Sequence, residues 1–318
     1  MNKNNFDWSR WLKDLPVDPL NGIVIALLVI LVVAQFWKPL RGWPRASAPF
    51  EPPQAGRAAS TPSWLTNGRL DQFKTLDQVQ AALRKAGLES SNLIFGIDFT
   101  ASNHSQGEVT FGKRSLHYLD PSGETLNPYQ NVISALGRTL AAFDEDNLIP
   151  AYGFGDITTK DRQVFPFLAD GPCKGIEQIQ ERYKAIVPHL RLNGPTSFAP
   201  LIRQAIKDTY ESGNMFHILV IIADGQVSNP KETIDAIVEA SRYPIAIVMI
   251  GVGDGPWDMM EDFDDNLPQR QFDNFQFVEY HRTVARFVNQ QDADCALALG
   301  ALMEIPDQVK ALKQLKLI

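Results

Sequence analysis

Short apolar runs that end in polar residues alternate along the chain with segments of helical spacing. The clearest runs are Asn92–Phe99 (NLIFGIDF), Leu148–Phe154, His217–Ala223 (HILVIIA) and Ile245–Gly251. Apolar runs of this length indicate strands that are buried on both faces, as in a parallel sheet. A last strand is predicted over Phe275–Glu279.

Between these runs, hydrophobic residues recur every three or four positions, which is typical of amphipathic helices. Helices are predicted over Leu76–Ala86, Pro128–Phe143, Ile176–Val187, Pro200–Ser212 and Lys231–Ser241, and through residues 283–303 and 306–316. The short stretch Val164–Leu168 is expected to form an antiparallel edge strand. The pattern therefore predicts an α/β fold with a doubly wound, mostly parallel sheet, one antiparallel edge strand and helices on both faces.

The N-terminal part of the chain has a different pattern. Residues 19–37 contain no charged side chain, and Ile23–Ala34 (IVIALLVILVVA) is apolar without interruption. This window approaches the ~20 residues that a helix needs to cross a bilayer. A core helix would show a polar face, and the cleavage-like Ala46–Ala48 lies far beyond the apolar run. The window therefore predicts a single, uncleaved transmembrane helix that precedes the α/β fold.

The predicted organisation is an N-terminal flank (1–18), the transmembrane helix (19–37), a basic proline-rich stalk (38–69) and a globular domain (70–318). Residues 38–63 hold six of the 21 prolines, which favours extended chain over helix. Lys and Arg are slightly more frequent after the predicted span than before it, which favours a cytoplasmic C-terminal domain. We therefore expect a single-pass membrane protein; the alternative is an extracytoplasmic adhesion or sensor domain.

Charge and cysteine content exclude several classes of protein. The net charge of the chain is −7, but residues 70–318 carry 22 Lys and Arg against 33 Asp and Glu, a net charge of −11. An acidic domain repels phosphates, so no nucleic acid is expected as a partner. The two cysteines, Cys173 and Cys295, are too few for a disulfide scaffold, a four-cysteine zinc module or a RING finger.

Oxygen-bearing side chains follow the predicted strands, at the edge where open parallel sheets bind their ligands. Asp98, Thr100 and Ser102 follow the first strand, Asp224 follows the HILVIIA run, and Thr196 lies in the loop before the helix at residue 200. Carboxylates and hydroxyls without His or Cys suit Mg²⁺, Mn²⁺ or Ca²⁺ rather than zinc or copper. With only two carboxylates, a bound cation would keep an affinity for a further anion. These residues predict a metal-bridged docking site, with Mg²⁺ as the expected ion.

These positions resemble the D-x-[ST]-x-S signature of the metal-ion-dependent adhesion site in von Willebrand factor A domains, with Thr196 and Asp224 in its second and third loops. The segments LIFGIDFTASN, NGPTSFAP, LVIIADGQV and GVGDGPWDMMEDFDDNLPQRQFDNFQFVEY are similar to the A domain shared by copines and plant RING-type ubiquitin ligases. The resemblance covers roughly residues 76–315. It implies a von Willebrand factor A, Rossmann-like fold.

The resemblance also implies roles for the five residues. Ser102 and Thr196 would hold the metal directly, Asp98 and Asp224 directly or through water, and Thr100 would support the loop. One coordination position would remain for an acidic residue of a partner protein. The lipid-binding domains of copines and the RING finger of the plant ligases are not expected in this chain. We therefore expect a membrane-anchored, metal-dependent protein-binding module that is not an enzyme.

Some acidic residues allow other interpretations. An Asp after a first strand, with Mg²⁺, also begins phosphatases of the aspartyl-phosphate type, but their second Asp is replaced here by Thr100. A Mg²⁺-dependent phosphohydrolase is therefore the alternative hypothesis. Asp156 and Asp254 also follow strands, and they either cap turns or support the metal loops. The acidic run of residues 258–265 lacks the EF-hand pattern and favours a solvated loop over a calcium site.

Overall fold

A six-stranded sheet organises residues 73–318, the part of the chain that this computed structural model describes. Eight strands form there: β1 (Asn92–Asp98), β2 (Leu148–Ile149), β3 (Ala151–Phe154), β4 (Phe165–Pro166), β5 (Cys173–Lys174), β6 (His217–Ala223), β7 (Ile245–Gly251) and β8 (Phe275–Glu279). The main sheet has the order β4-β3-β1-β6-β7-β8, and β2 pairs with β5 in a separate two-stranded sheet.

The register of the strands confirms the predicted sheet. β1 is parallel to β3 and to β6, and β6, β7 and β8 are parallel to one another. In this six-stranded sheet only β4 is antiparallel, with Gly153 of β3 opposite Phe165. The predicted strand over residues 148–154 is divided at Pro150, which has no N–H group to donate to a neighbouring strand.

Helices connect the strands and cover the sheet. They are α1 (Leu76–Ala86), α2 (Pro128–Leu140), α3 (Gly175–Ile186), α4 (Ala199–Glu211), α5 (Pro230–Ala240), α6 (Asp258–Asn266), α7 (Tyr280–Val284), α8 (Gln290–Leu302) and α9 (Ile305–Leu315). Helix α6 corrects the loop expected over residues 258–265. Met260 and Phe263, three positions apart, bury one side of this acidic helix, while exposed acids such as Asp265 remain in solvent.

Side-chain alternation along the strands creates two cores. In β6, Ile218, Val220 and Ile222 belong to a core shared with α1, α2, α3, α8 and α9. Leu219 and Ile221 belong to the core on the opposite face, shared with α4, α5 and α6. All seven residues of β6 are buried, because successive side chains of a central strand enter opposite faces of the sheet. Both faces are therefore covered, as predicted.

The membrane prediction is corrected. Within residues 73–318, no helix combines the length and the apolar character that crossing a bilayer requires. The described residues therefore give no support to the transmembrane element of the predicted fold class or to the predicted single-pass membrane localisation. The fold is a von Willebrand factor A-like α/β fold with a mostly parallel sheet. The predicted flank (1–18), span (19–37) and stalk (38–69) lie outside the described residues.

Replacement of one residue of the central strand β6 tests whether its side chains are buried on both faces of the sheet. We expect Ile221→Ala to lower the free energy of unfolding by about 2–5 kcal/mol, because it removes buried methyl groups and leaves a cavity. The same replacement at Ile157, which is 39% exposed, should change stability by about 0.5 kcal/mol or less. Urea denaturation of both variants measures the difference. Equal losses would contradict the assignment of Ile221 to the core.

Candidate metal centre

Four of the five predicted site residues meet at the carboxyl edge of the sheet. β1 and β6 are neighbours, with Ile97 opposite Ile222, so Asp98 and Asp224 follow adjacent parallel strands. Ser102 Oγ donates a hydrogen bond to Asp224 Oδ1 at 3.0 Å and lies 2.9 Å from Thr100 Oγ1. Since the Ser102 proton points to Asp224, Thr100 is the donor in the second bond. The structure thus brings together Asp98, Thr100, Ser102 and Asp224.

The backbone after β1 holds these side chains in position. The Thr100 N–H donates to Asp98 Oδ1 at 2.7 Å, which turns the chain sharply away from the strand. A short 3₁₀ helix, Ala101–His104, follows, and the Ser105 N–H donates to the Ser102 carbonyl at 2.9 Å. Residues two positions apart, Thr100 and Ser102, therefore direct both hydroxyls toward one point. We call residues 98–102 the metal loop.

The loop that carries Thr196 packs beside the metal loop. Asn193 forms a parallel bridge with Thr100, and its N–H donates to the Phe99 carbonyl at 3.3 Å. Thr196 is 8% exposed, and its N–H donates to Ser228 Oγ at 3.2 Å. Its loop thus lies between the segments that follow β1 and β6. Its hydroxyl forms no hydrogen bond with the other four site residues.

Asp98 and Asp224 are an uncompensated pair of buried carboxylates. Both side chains are essentially inaccessible to solvent, with 0% and 1% exposure. Within residues 73–318, neither Asp98 Oδ2 nor Asp224 Oδ2 has a hydrogen-bond partner. Burial raises the pKa of Asp98, and burial together with the neighbouring charge of Asp98 raises the pKa of Asp224. A divalent cation held by these residues would supply the missing positive charge, so they fit a metal ion.

The oxygen donors of this site are of the kind that binds a hard cation. No group of three His, Cys, Asp or Glu side chains suited to a metal is found in the described part of the chain. The converging donors are instead two carboxylates and several hydroxyls. Such a set leaves coordination positions for water or for an outside ligand, which is typical of sites for hard divalent cations.

A buried histidine behind the metal loop was not singled out from the sequence. His117 Nε2 lies 2.8 Å from the Asp98 carbonyl, and Nδ1 lies 2.7 Å from the Tyr183 hydroxyl. Burial lowers the pKa of His117 to about 3, so the ring is neutral and carries one N–H. Because a carbonyl only accepts, Nε2 donates to Asp98 and Nδ1 accepts from Tyr183. No local motif reveals this contact, since His117 and Tyr183 lie far from Asp98 in the chain.

A second buried contact ties the metal loop to α2. The Tyr129 hydroxyl donates to Asn103 Oδ1 at 2.6 Å, and Asn103 Nδ2 donates to the Thr100 carbonyl at 3.2 Å. The Tyr129 ring also stacks on His117, with centroids 4.3 Å apart. The loop therefore rests on a packed polar and aromatic layer, which fixes the direction of its side chains before any ligand binds.

Asp156 and Asp254 take different roles at the same edge of the sheet. Asp156 accepts hydrogen bonds from the Thr158 and Thr159 N–H groups and so caps its own turn. Asp254 accepts from the Val109 and Thr110 N–H groups, both at 2.9 Å, and so fixes the loop that follows Ser102. Of the two interpretations left open by the sequence, turn capping holds for Asp156 and loop support for Asp254.

Gly155 allows the loop after β3 to approach the metal loop. Its φ of 84° lies in the left-handed region, and a Cβ there would stand 2.4 Å from Thr100 Cγ2 and 3.2 Å from Asp98 Oδ1. Any side chain at this position would displace the metal loop. The sequence G-D after a strand indicates a turn, but the contact with Thr100 is set only by the fold.

The mostly parallel sheet, with Asp98 at the end of β1, Asp224 directly after β6 and the D-x-T-x-S sequence starting at Asp98, is a von Willebrand factor A-like α/β fold. A family model described as Copine matches residues 115–318. The chain therefore belongs to the copine family.

Curated relatives agree with this assignment. The chain is 53% identical over 261 residues to the E3 ubiquitin-protein ligase RGLG2 of Arabidopsis thaliana, covering 78% of this chain and 55% of that protein. It is 51% identical over 253 residues to Copine family protein 2 of Caenorhabditis elegans, covering 78% of this chain and 3% of that protein. The chain thus spans little more than half of the length of the Arabidopsis relative.

These relatives correct one expectation. Several Arabidopsis relatives are named E3 ubiquitin-protein ligases, and ligases are enzymes. The prediction that the protein is not an enzyme is therefore contradicted.

Among solved structures, the manganese-loaded TRAP protein of Plasmodium vivax has a TM-score of 0.42 and 12% identity, covering 62% of this chain and 71% of that chain.

The uncompensated carboxylate pair makes a prediction for the metal-free protein. The raised pKa of Asp224 means that the folded protein keeps a proton which the unfolded chain releases above its usual pKa of 3.8. Stability attributable to this group therefore falls as the pH rises. Asp224→Asn removes that loss because Asn does not ionise. We expect the free energy of unfolding of the variant to exceed that of the wild type by on the order of 2 kcal/mol. The gain should be larger at pH 8 than at pH 5.

Urea denaturation of the full chain in EDTA measures this gain at both pH values. Asp170→Asn is the matched control, because Asp170 is exposed in a loop away from the site. A gain that is equal at the two pH values, or one that the control reproduces, would show that Asp224 is not held in an unfavourable ionised state.

Proposed function

We propose that this chain is a divalent-metal-dependent protein-binding module of the copine family. The observation that carries the proposal is the pair of free Oδ2 atoms on Asp98 and Asp224, both buried at the carboxyl edge of the sheet. A buried charge without a partner costs several kcal/mol, and a pair of like charges costs more. A bound cation would offset this cost, which supports a function that depends on a metal.

The proposed ligands are the five residues predicted from the sequence. Ser102 and Thr196 would bind the metal through their hydroxyls, and Asp98 and Asp224 directly or through water. Thr100 would orient Ser102, as its hydrogen bond to Ser102 Oγ supports. Among hard divalent cations, Mg²⁺ is the proposed ion, because two carboxylates with hydroxyls and waters meet its preference for oxygen donors and retained water.

The proposed partner is a protein that offers an Asp or Glu side chain to the metal. Two carboxylates only neutralise the charge of a divalent ion, and the neutral hydroxyls leave it able to attract a further anion. The acidic character of residues 70–318 disfavours polyanions such as nucleic acids, whereas a single carboxylate can reach the metal at the edge of the sheet.

Metal binding by the full chain tests this function. We expect Mg²⁺ or Mn²⁺ to raise the melting temperature of the wild type, because a ligand that binds only the folded state stabilises it. Asp98→Asn should lose at least about tenfold in metal affinity, equivalent to ~1.4 kcal/mol. Asp170→Asn should bind as the wild type does. Calorimetric titration and thermal melting, each with an EDTA control, measure these effects. A wild type that binds neither ion overturns the proposal.

The hydroxyl ligands have their own test. We expect Ser102→Ala and Thr196→Val each to weaken Mg²⁺ binding about tenfold, since each removes one oxygen donor without changing the charge. Thr158→Val is the control, because the Thr158 side chain is exposed and the substitution keeps the backbone N–H that bonds to Asp156. Calorimetry on the three variants decides the matter. Unchanged affinity for Thr196→Val would remove that residue from the ligand set.

A further inference from the structure

Three loops lie next to the candidate metal centre. They are the loop 103–116 that follows Ser102, the loop 156–163 that follows β3, and the segment 190–198 that carries Thr196; we call them the rim loops. The bridge from Asp156 to Leu192 joins two of these loops, and the bridge from Thr100 to Asn193 joins the metal loop to the segment 190–198. The loop 103–116 continues directly from the metal loop. All three loops are thus neighbours, in sequence or through a bridge, of the residues that would hold the metal.

Two apolar side chains project from the rim loops. Val109 is 82% exposed and Ile157 is 39% exposed. Their backbones are nevertheless fixed: the Val109 N–H donates to Asp254 Oδ2 at 2.9 Å, and the Ile157 N–H donates to the Arg191 carbonyl at 3.0 Å. Exposed apolar groups on a fixed backbone lose little entropy when a partner covers them, which favours binding.

The rim loops are also basic, in contrast to the rest of the domain. They carry five positive and three negative side chains, a net charge of +2, whereas residues 70–318 as a whole have a net charge of −11. All five cations are exposed: Lys113, Arg114, Lys160, Arg162 and Arg191. Of the three acids, Asp156 is buried in its own turn. The solvent-exposed side chains of the rim loops therefore carry a more positive charge than the net charge of +2 indicates.

These cations are available to a partner. No carboxylate of residues 73–318 lies within 4.0 Å of the charged groups of Lys113, Lys160 or Arg191. Arg114 packs over the Tyr118 ring at 5.3 Å, and Arg162 has only its exposed neighbour Asp161, at 3.9 Å. Exposed pairs of this kind contribute little, so a partner's carboxylate can compete for them.

We propose that the rim loops are a docking surface for a protein segment that is acidic beyond the residue bound to the metal and that carries apolar side chains between its acids. The inference rests on the proposed function, because the metal anchors the segment. One carboxylate binds the cation, further carboxylates lie opposite the cations of the rim loops, and apolar side chains cover Val109 and Ile157. The positive charges of the rim loops favour an acidic partner, whereas the negative charges of the rest of the domain would attract basic partners.

Selection from a library of random dodecapeptides displayed on phage tests the proposal. The full chain is immobilised in Mg²⁺, washed, and eluted with EDTA, so that only metal-dependent binders are recovered. We expect enriched peptides to have a net negative charge, at least two Asp or Glu residues, and a Val, Ile, Leu or Phe close to them. Enrichment of neutral or basic peptides, or none at all, would overturn the inference.

Variants of the rim loops are then tested with one enriched peptide. The double variant Lys160→Glu with Arg191→Glu should weaken peptide binding about tenfold, with a smaller effect at high salt. Val109→Ser should weaken it severalfold. Lys85→Glu with Lys184→Glu, on α1 and α3, and Val288→Ser are the matched controls, because these side chains are equally accessible and lie outside the rim loops.

Calorimetric Mg²⁺ titration separates this inference from the proposed function. Wild type and rim-loop variants should bind Mg²⁺ alike, within about threefold, since the ligands are unchanged. If the wild type does not bind Mg²⁺, the proposed function fails. If Mg²⁺ binds but the rim-loop variants bind the peptide as tightly as the controls do, the docking surface fails and the metal site stands.

Discussion

The repulsion between the buried carboxylates of Asp98 and Asp224 is the constraint around which this edge of the sheet is arranged. Both groups follow neighbouring parallel strands, so the fold itself forces them together. Ser102 and the Thr100 N–H satisfy one oxygen of each carboxylate, and the other two oxygens have no partner within residues 73–318. The site is therefore incomplete in charge, and a divalent cation is the simplest group that completes it.

The layer behind the metal loop explains how such an unfavourable pair persists. His117 and the Asn103–Tyr129 contact bind the loop backbone on its inner side, at the Asp98 and Thr100 carbonyls. The rings of Phe99, His117 and Tyr129 stack, with centroids 4.7 and 4.3 Å apart between successive rings. This packing contributes stability that offsets the repulsion, and it leaves the carboxylates directed outward. The metal loop is thus organised by the core rather than by the ion.

Membership of the copine family concerns only the region that this chain shares with its relatives. The named ligases of Arabidopsis are longer proteins, and the region that they share with this chain is the one that forms the sheet and the candidate metal centre. The cations of the rim loops, Val109 and Ile157 are instead read from the exposure and charge of this chain alone.

The sequence by itself determined the strands, most helices, the sheet type and the composition of the site, because each depends on local pattern. Periodicity located β1, β6 and β7 to within a residue. The polar residues at the ends of β1 and β6 predicted Asp98, Ser102 and Asp224 as metal ligands, and the structure brings these three residues together. Periodicity failed for α6, whose apolar side is only Met260 and Phe263, and the membrane helix inferred from local hydropathy has no counterpart in the described residues.

Only the tertiary structure decided which distant residues support the site. His117 and Tyr129 act on the metal loop through contacts between separate elements, and Gly155 matters because its backbone touches Thr100. The free Oδ2 atoms of Asp98 and Asp224 are likewise visible only once every neighbouring donor is placed. A sequence states which groups are present; burial, distance and unsatisfied charge arise only when the chain packs, because they depend on residues that are remote along it.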